Sequence, residues 1–318
     1  MPSGAVATVA RPRQQQHHRH HDEHHRCDQS HAAQCARRLP SLHVNDDHGW
    51  ESWQWDETLF AGAAPYYMQG RLPYADGLAD VLAESLQLDG RGRLLDVGCG
   101  PGVVALRLAH LFEEVVGLDP DADMLAEAAR LASRQGVGNA TWVRMRAEEL
   151  PGPLGAFRVV TFAASFHWMD RPAVARAVKT MLGPGGVAVQ VDAPAYRSDA
   201  VMDDAIVALR RRYLGPDTRA GQGIRNSSPG GEDAVFRAAG FTPARRVVVP
   251  DGRIVERTID DLVATRFSSS PTAPHLFGER AAEFEADLRQ LLADASPAGR
   301  FSVRLPDNIL SIWEPDRA

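Results

Sequence analysis

The constraint that narrows the fold most is a run of nine residues, Leu94-Leu95-Asp96-Val97-Gly98-Cys99-Gly100-Pro101-Gly102. An apolar stretch breaks into alternating glycines and then into a helical pattern at Val103, Val104, Leu106, Leu108 and Leu111. This is the strand, turn and helix unit with which α/β proteins hold nucleotide-like ligands. Glycines there let the backbone turn tightly and approach a ligand that a side chain would push away. A second apolar strand follows at Val116-Gly117-Leu118 and ends in Asp119, an acid placed to accept hydrogen bonds from a ribose diol. The sequence therefore places a cofactor site at this turn.

The glycine spacing bears on which cofactor. A dinucleotide fingerprint has glycines at its first, third and sixth positions, and counting from Gly98 the sixth is Val103. The chain instead has an acid two residues before the first glycine and glycines at every second position: Asp96, Gly98, Gly100, Gly102. A buried acid beside the loop would repel a diphosphate.

Further segments follow in order. Thr141 to Met145 alternates like a short strand and leads into Arg146-Ala147-Glu148-Glu149-Leu150-Pro151. Phe157 to Ala164 reads as a buried strand and runs directly into Ser165-Phe166-His167-Trp168-Met169-Asp170. A helix from about Pro172 to Leu182, the turn Gly183-Pro184-Gly185-Gly186 and a strand Val187 to Val191 complete the series. Asp121 to Gln135 carries Met124, Leu125, Ala128 and Leu131 at helical spacing. Such βα repeats favour a parallel, doubly wound sheet with right-handed crossovers.

From Asp96 to Val191 this order resembles the class I S-adenosylmethionine (SAM) dependent methyltransferases, and within them the type 11 small-molecule group that includes trans-aconitate methyltransferase-like enzymes. The likeness covers about residues 56 to 192. It implies a Rossmann-like, doubly wound seven-stranded sheet, mostly parallel with an antiparallel C-terminal strand and helical lid insertions. It implies SAM as cofactor, held by Gly98, Gly100 and Gly102, by Asp119 at the ribose, by Pro120 and Met124 against the adenine, and by Ala147 and Glu148 at its edge. Ala164 joins this set after the fourth strand. Asp96 on its own could accept the SAM ammonium or tie down the glycine-loop amides, and the resemblance implies both. Arg71 either pairs with the methionine carboxylate or is a surface arginine at a helix start. Tyr66, Tyr67, His167 and Trp168 are expected at the acceptor. His167 is the one candidate general base, since an imidazole titrates near neutrality; its alternative is a structural histidine that helps Trp168 shape the pocket.

Negatives narrow the acceptor. Ala163-Ala164-Ser165-Phe166 is not the Asp/Asn-Pro-Pro-aromatic motif used on nucleobase amines, and no Pro-Cys nucleophile stands there. A net charge of −6 gives no general attraction to nucleic acid or to anionic membrane. No apolar run reaches the roughly 18 residues that span a bilayer, and residues 1 to 30 have no signal-peptide core. A cytoplasmic protein is expected. Nothing in the sequence sets an oligomeric state.

The first 45 residues differ from the rest. Counting His48 with them, they hold nine of the twelve histidines, a Gln14-Gln15-Gln16 tract and almost no apolar periodicity. A disordered tail over 1–45 is expected, because so little apolar area cannot offset ordering entropy. His24, His25, Cys27, His31 and Cys35 are ligand types, but their spacing matches no standard zinc module, and no metal is assigned. The remaining organisation is an N-terminal helical cap at 46–90, reading as helical from Trp50 to Leu88, and the methyltransferase domain at 91–318. Lid insertions fall near 195–230 and 254–299. Arg210-Arg211-Arg212 is either a greeting for an anionic substrate or a solvated helix face. Thr258 and Asp261 form a near capping box for a helix to about Ala264, and a further helix runs from Glu279 to Leu292. Phe301–Leu305 and Ile309–Trp313 are expected to close the sheet as an antiparallel hairpin. The expected function is methyl transfer to a small molecule at oxygen, nitrogen or carbon, in secondary metabolism. The alternative is a catalytically silent SAM-binding or metal-binding regulator working through the histidine-rich tail.

Overall fold

The computed structural model describes residues 56–192, 200–220, 223–224 and 231–316. The expectations for the tail, its histidine and cysteine cluster and the Trp50 start of the cap lie outside the described residues.

A short helix α1 (Ala64–Gly70) and α2 (Leu78–Leu86) come first. The continuous helical reading across this region is corrected: the chain leaves the helix at Arg71, and Pro73 sits in the extended link. Then follow β1 (Arg93–Val97), α3 (Val103–Leu108), β2 (Glu114–Asp119), α4 (Ala122–Gln135), β3 (Ala140–Arg144), β4 (Phe157–Ala163), α5 (Arg171–Met181) and β5 (Leu182–Val191). Asp121 caps α4 by accepting from the Asp123 and Met124 amides, and Asp170 caps α5 through the Ala173 amide. The glycines after α5 make no separate turn. They are absorbed as an irregularity within β5, with Phe157 opposite Leu182 but Val159 opposite Val187.

Downstream stand α6 (Ala200–Leu214), the two-residue strands β6 (Arg219–Ala220) and β7 (Gly223–Ile224), α7 (Gly231–Ala238), β8 (Arg245–Val249), β9 (Ile254–Thr258), α8 (Ile259–Phe267), α9 (Ala281–Ala295), β10 (Arg300–Arg304) and β11 (Asn308–Trp313). The main sheet has seven strands in the order β3-β2-β1-β4-β5-β11-β8. β11 runs antiparallel to both neighbours, while the β3-β2-β1-β4-β5 pairings are parallel. This is the Rossmann-like sheet expected. The expected closing hairpin is corrected, because β10 pairs with β9 in a separate ribbon and β8 takes the place beside β11. Alternating apolar residues give a strand without naming its partner.

Side-chain burial explains the layers. One face of the sheet packs Val160, Phe162, Val174, Val178, Phe236 and Trp313 against α5 and α7. The other packs Leu78, Leu82, Leu94, Val104, Leu108 and Ile312 against α2 and α3. A third core is separate: Ile206, Leu209, Leu262, Phe267, Phe277, Phe284 and Leu288 join α6, α8 and α9 into a cap. The Thr258–Asp261 capping box starts α8, which runs on to Phe267. No helix among the described residues is long and apolar enough to cross a membrane.

Candidate functional site

The floor of the site is built where β1 and β2 end side by side. The Gly98 and Cys99 amides both donate to the Leu118 carbonyl, at 2.7 and 3.0 Å, stapling the glycine loop to the tip of β2. Asp119 finishes the staple: its Oδ2 accepts from the Gly100 amide at 2.8 Å and its Oδ1 from the Asp121 amide at 2.9 Å. Burial pushes the Asp119 carboxyl up to about 6, against these two amides, which favour its charged form. Tying the loop amides was one of two roles open to Asp96; in the structure Asp119 does it.

Asp96 lies wholly inside, on the β1 face shared with Leu94. The Thr161 hydroxyl, in register on β4, donates to its Oδ1 at 2.7 Å. Its Oδ2 is buried, and no donor meets it at full hydrogen-bonding geometry, the Ala105 amide at the start of α3 only standing near the carboxyl. Burial pushes this carboxyl up to about 6 as well, opposed by the Thr161 hydroxyl and the Ala105 amide. A buried acceptor with an empty lone pair is a costly thing to keep. It fits a ligand that brings a donor, such as an ammonium group.

Two of the glycines are demanded by the protein's own packing. A Cβ on Gly98, at φ +67°, would stand 2.6 Å from the Ser165 Cβ. One on Gly102, at φ +75°, would stand 2.5 Å from the Trp142 ring. Trp142, on β3, thus props the loop from beneath, a role its strand pattern did not announce. Gly100 differs, since the nearest atom to its missing Cβ is the Tyr67 ring at 4.0 Å. Its open side belongs to the cleft. Cys99 within the loop is buried, and burial pushes its thiol well up, so it is no nucleophile.

Around this floor is a narrow inner pocket, lined among others by Gly98, Gly100, Asp119, Pro120, Met124, Ala147, Glu148, Ala164, Tyr67 and Trp168. It shares Leu59, Phe60, Asp119, Pro120 and Asp121 with an outer cleft of about 540 Å³, which continues past Asp123, Arg144, Arg146 and Glu149. Ten of the expected residues are therefore brought together. Glu148 also accepts from the Asp170 amide at 2.9 Å, tying its turn to the start of α5. Leu59, Ser165 and Met169 also line the inner wall and were not expected there, while Phe60 lines it from the aromatic N-terminal segment. Phe60 meets the Trp168 ring edge-on, with centroids 6.0 Å apart.

Other expected residues stand elsewhere. Gly102 is under the loop, against Trp142. Tyr66 turns away into the cap, its ring 5.1 Å from Phe267. Arg71 stacks on the Tyr67 ring at 4.9 Å and donates to the Ser268 carbonyl at 2.5 Å, so it stands behind the wall. His167 packs its ring on Trp168, centroids 4.5 Å apart, beside the lining rather than in it. In the arginine run, Arg210 is buried and donates to the Asp217 carbonyl, and Arg212 pairs with Asp287 on α9. These two hold the cap together. α3 is only six residues long, so its dipole adds less at the loop than a full helix would.

The floor's donor set suits an adenosyl amino acid. Asp119 keeps free lone pairs for hydroxyl donors after its two amides, Pro120, Met124 and Ala147 offer an apolar slot, and Asp96 holds an unfilled acceptor. Comparison with known proteins agrees at a coarser level. The methyltransferase domain family matches residues 94–186. An uncharacterised methyltransferase, YcgJ of Bacillus subtilis, is 29% identical over 185 residues, 58% of this chain and 70% of that protein. Malonyl-[acyl-carrier protein] O-methyltransferase of Enterobacter lignolyticus is 35% identical over 130 residues, 40% of this chain and 49% of that protein. The match thus spans about half the length of the second relative. The crystal structure of YcgJ aligns over 76% of this chain and 98% of its own, at 21% identity and a TM-score of 0.48.

Proposed function

From the match of a methyltransferase domain family to residues 94–186, we propose that the chain transfers a methyl group from SAM to a small-molecule acceptor in the cytoplasm. The observation that carries the reading is the pairing of Asp119, which organises the loop and retains acceptor capacity, with the orphaned Oδ2 of buried Asp96. They suit the ribose hydroxyls and the ammonium group of one ligand. Gly98 and Gly100 give its backbone approach, and Pro120, Met124, Ala147, Glu148 and Ala164 its walls.

When bound, SAM supplies a methyl carbon on a cationic sulfur that leaves as a neutral thioether. The protein's task is alignment and exclusion of water, and holding reacting atoms about 3 to 3.5 Å apart can supply several kcal/mol of the barrier. Leu59 and Phe60 roof the pocket, while Tyr67 and Trp168 flank it. His167 we assign the role of seating Trp168, since its ring lies on the indole. A proton on the acceptor then passes to water, either before the methyl is transferred or after it.

Calorimetric titration with SAM and with its demethylated product tests the reading. Both are expected to bind, and a chain lacking residues 1–45 is expected to bind them equally well. Transfer of labelled methyl groups into a metabolite extract then tests turnover. A protein that binds neither compound ends the proposal.

A further inference from the structure

The two halves of the glycine loop are held by different means. The first half is tied to β2 by amides, with Gly98 and Cys99 donating to the Leu118 carbonyl and Gly100 to Asp119. The second half closes on itself and on the helix that follows: the Gly102 amide donates to the Cys99 carbonyl at 3.0 Å, and the Gly102 carbonyl accepts from the Leu106 amide at 2.8 Å. What presses this half against the sheet is a side chain, Trp142.

The sheet register shows how the ring gets there. Thr161, Asp96, Gly117 and Trp142 lie in one row across β4, β1, β2 and β3, each in register with the next. Residues paired in this way project from the same face, and Gly117 leaves a gap in the row. The indole of Trp142 lies across that gap: a Cβ on Gly117 would stand 2.5 Å from its Cε3 and 3.0 Å from the Cys99 Sγ. The adjoining edge of the same ring fills a second gap, since a Cβ on Gly102 would stand 2.5 Å from its Cη2 and 3.0 Å from its Cζ3. Leu106 of α3 and Leu131 and Ala132 of α4 pack around it. Two glycines on different elements thus shape one slot, and a single ring sets the distance between β2 and the far half of the loop. A ring so closely packed does not shift without moving its neighbours.

Resting on the methyl-transfer reading above, we propose that Trp142 is a positioning residue for cofactor binding: wedged between Gly117 and Gly102, it fixes the far half of the glycine loop over β2 and so keeps the loop in the shape that receives SAM. Trp142 is not part of the lining of the inner pocket, and it acts through the loop. A loop already held in its bound shape loses less freedom when the ligand arrives.

The test is calorimetric titration of the full chain with SAM and with its demethylated product, well below the melting midpoint of each variant, beside thermal melts. Trp142→Leu is expected to weaken both compounds at least about tenfold, and Trp142→Phe, which keeps a ring in the slot, less than about threefold. Gly117→Ala drives a methyl group into the indole and is expected to cost as much as Trp142→Leu. In the Trp142→Leu background the same Gly117→Ala is expected to cost less than about twofold, because the obstacle is gone and the Cys99 Sγ has only to yield slightly. Should Trp142→Leu fail to fold, Trp142→Met carries the same expectations. Gly102→Ala would not serve, since φ +75° strains any side chain there. Leu288→Ala, in the cap core, measures a merely structural loss: a lower melting midpoint with SAM affinity within about twofold of the parent. SAM affinity that stays within threefold once Trp142 is replaced by an aliphatic side chain, a Gly117→Ala cost that is the same with and without the indole, or an equal loss of affinity in Leu288→Ala overturns the proposal. A parent chain that binds neither compound overturns instead the methyl-transfer reading on which it rests.

Discussion

The floor and the roof of the cleft are held by opposite means. The floor is local: loop, Asp119 and Asp96 lie within two dozen residues, and backbone amides do the joining. The roof is joined across the length of the chain. The Gln69 side chain donates to Asp261, 192 residues away, and Arg257 donates to the Gln69 carbonyl, 188 away. Arg71 reaches the Ser268 carbonyl and His275 the Ala61 carbonyl, 197 and 214 residues away. Gly70 lets α1 press directly on α8, since a Cβ there would stand 2.3 Å from the Ala264 carbonyl oxygen. The helix that carries Tyr67 is thus welded to the cap. Cofactor grip and acceptor choice should therefore fail separately.

The largest expected effect falls on the floor alone. Asp119→Ala removes a buried, hydrogen-bonded charge and strands two amides, so SAM affinity should drop at least about 100-fold, roughly 3 kcal/mol, by calorimetry. An undiminished affinity would break the comparison at its root. Next, Gly70→Ala should pry α1 from α8 and lower stability by about 1 to 3 kcal/mol in denaturant melts. Acceptor KM should rise while SAM affinity stays within threefold; equal loss of both would make floor and roof one unit.

The third effect is of pH. Asp96 and Asp119 both have carboxyls near 6 in the folded protein against 3.8 ordinarily. Between these values the folded chain holds protons that the unfolded chain has released. The two carboxyls therefore lower the stability of the ligand-free protein as pH rises from about 4 to about 6, and their contribution is level above that. A ligand that donates to the ionised forms binds with proton release in the same window, so SAM affinity should climb roughly tenfold from pH 5 to pH 7. Calorimetry at pH 6 in two buffers of unlike ionisation heat reads the proton, and Asp96→Asn should reduce it. The smallest effect returns to the roof. His275→Phe removes the Nδ1 donor that holds the Ala61 carbonyl beneath the cap, and should cost about 0.5 to 1.5 kcal/mol with a two- to threefold rise in acceptor KM.

Much of the floor was legible because its partners are neighbours in sequence. Asp96, the glycines and Asp119 fall at strand ends whose pairing the βα order dictates. The roof was not, because nothing local in Gln69 or Arg257 names a partner nearly 190 residues away. Tyr66 and Tyr67 show the limit at a single step: adjacent helix positions point about 100° apart, so only one of two tyrosines can line the cleft. Burial against Phe267 decides which, and Phe267 sits on another element. Trp142 as prop was hidden for a similar reason, since its contact with Gly102 crosses strands.

One feature of the sheet also bears on how the protein comes to be made. β11 is inserted between β5 and β8, and Trp313 near its end stacks on Phe236 of α7 at 4.1 Å. During synthesis β8 leaves the ribosome some sixty residues before Trp313 but has no strand to lie against until β11 follows. Until then the nascent chain presents a bare β5 edge, the kind of surface on which chains aggregate. Translation arrested anywhere in the cap would release a chain that has its complete glycine loop and an open sheet.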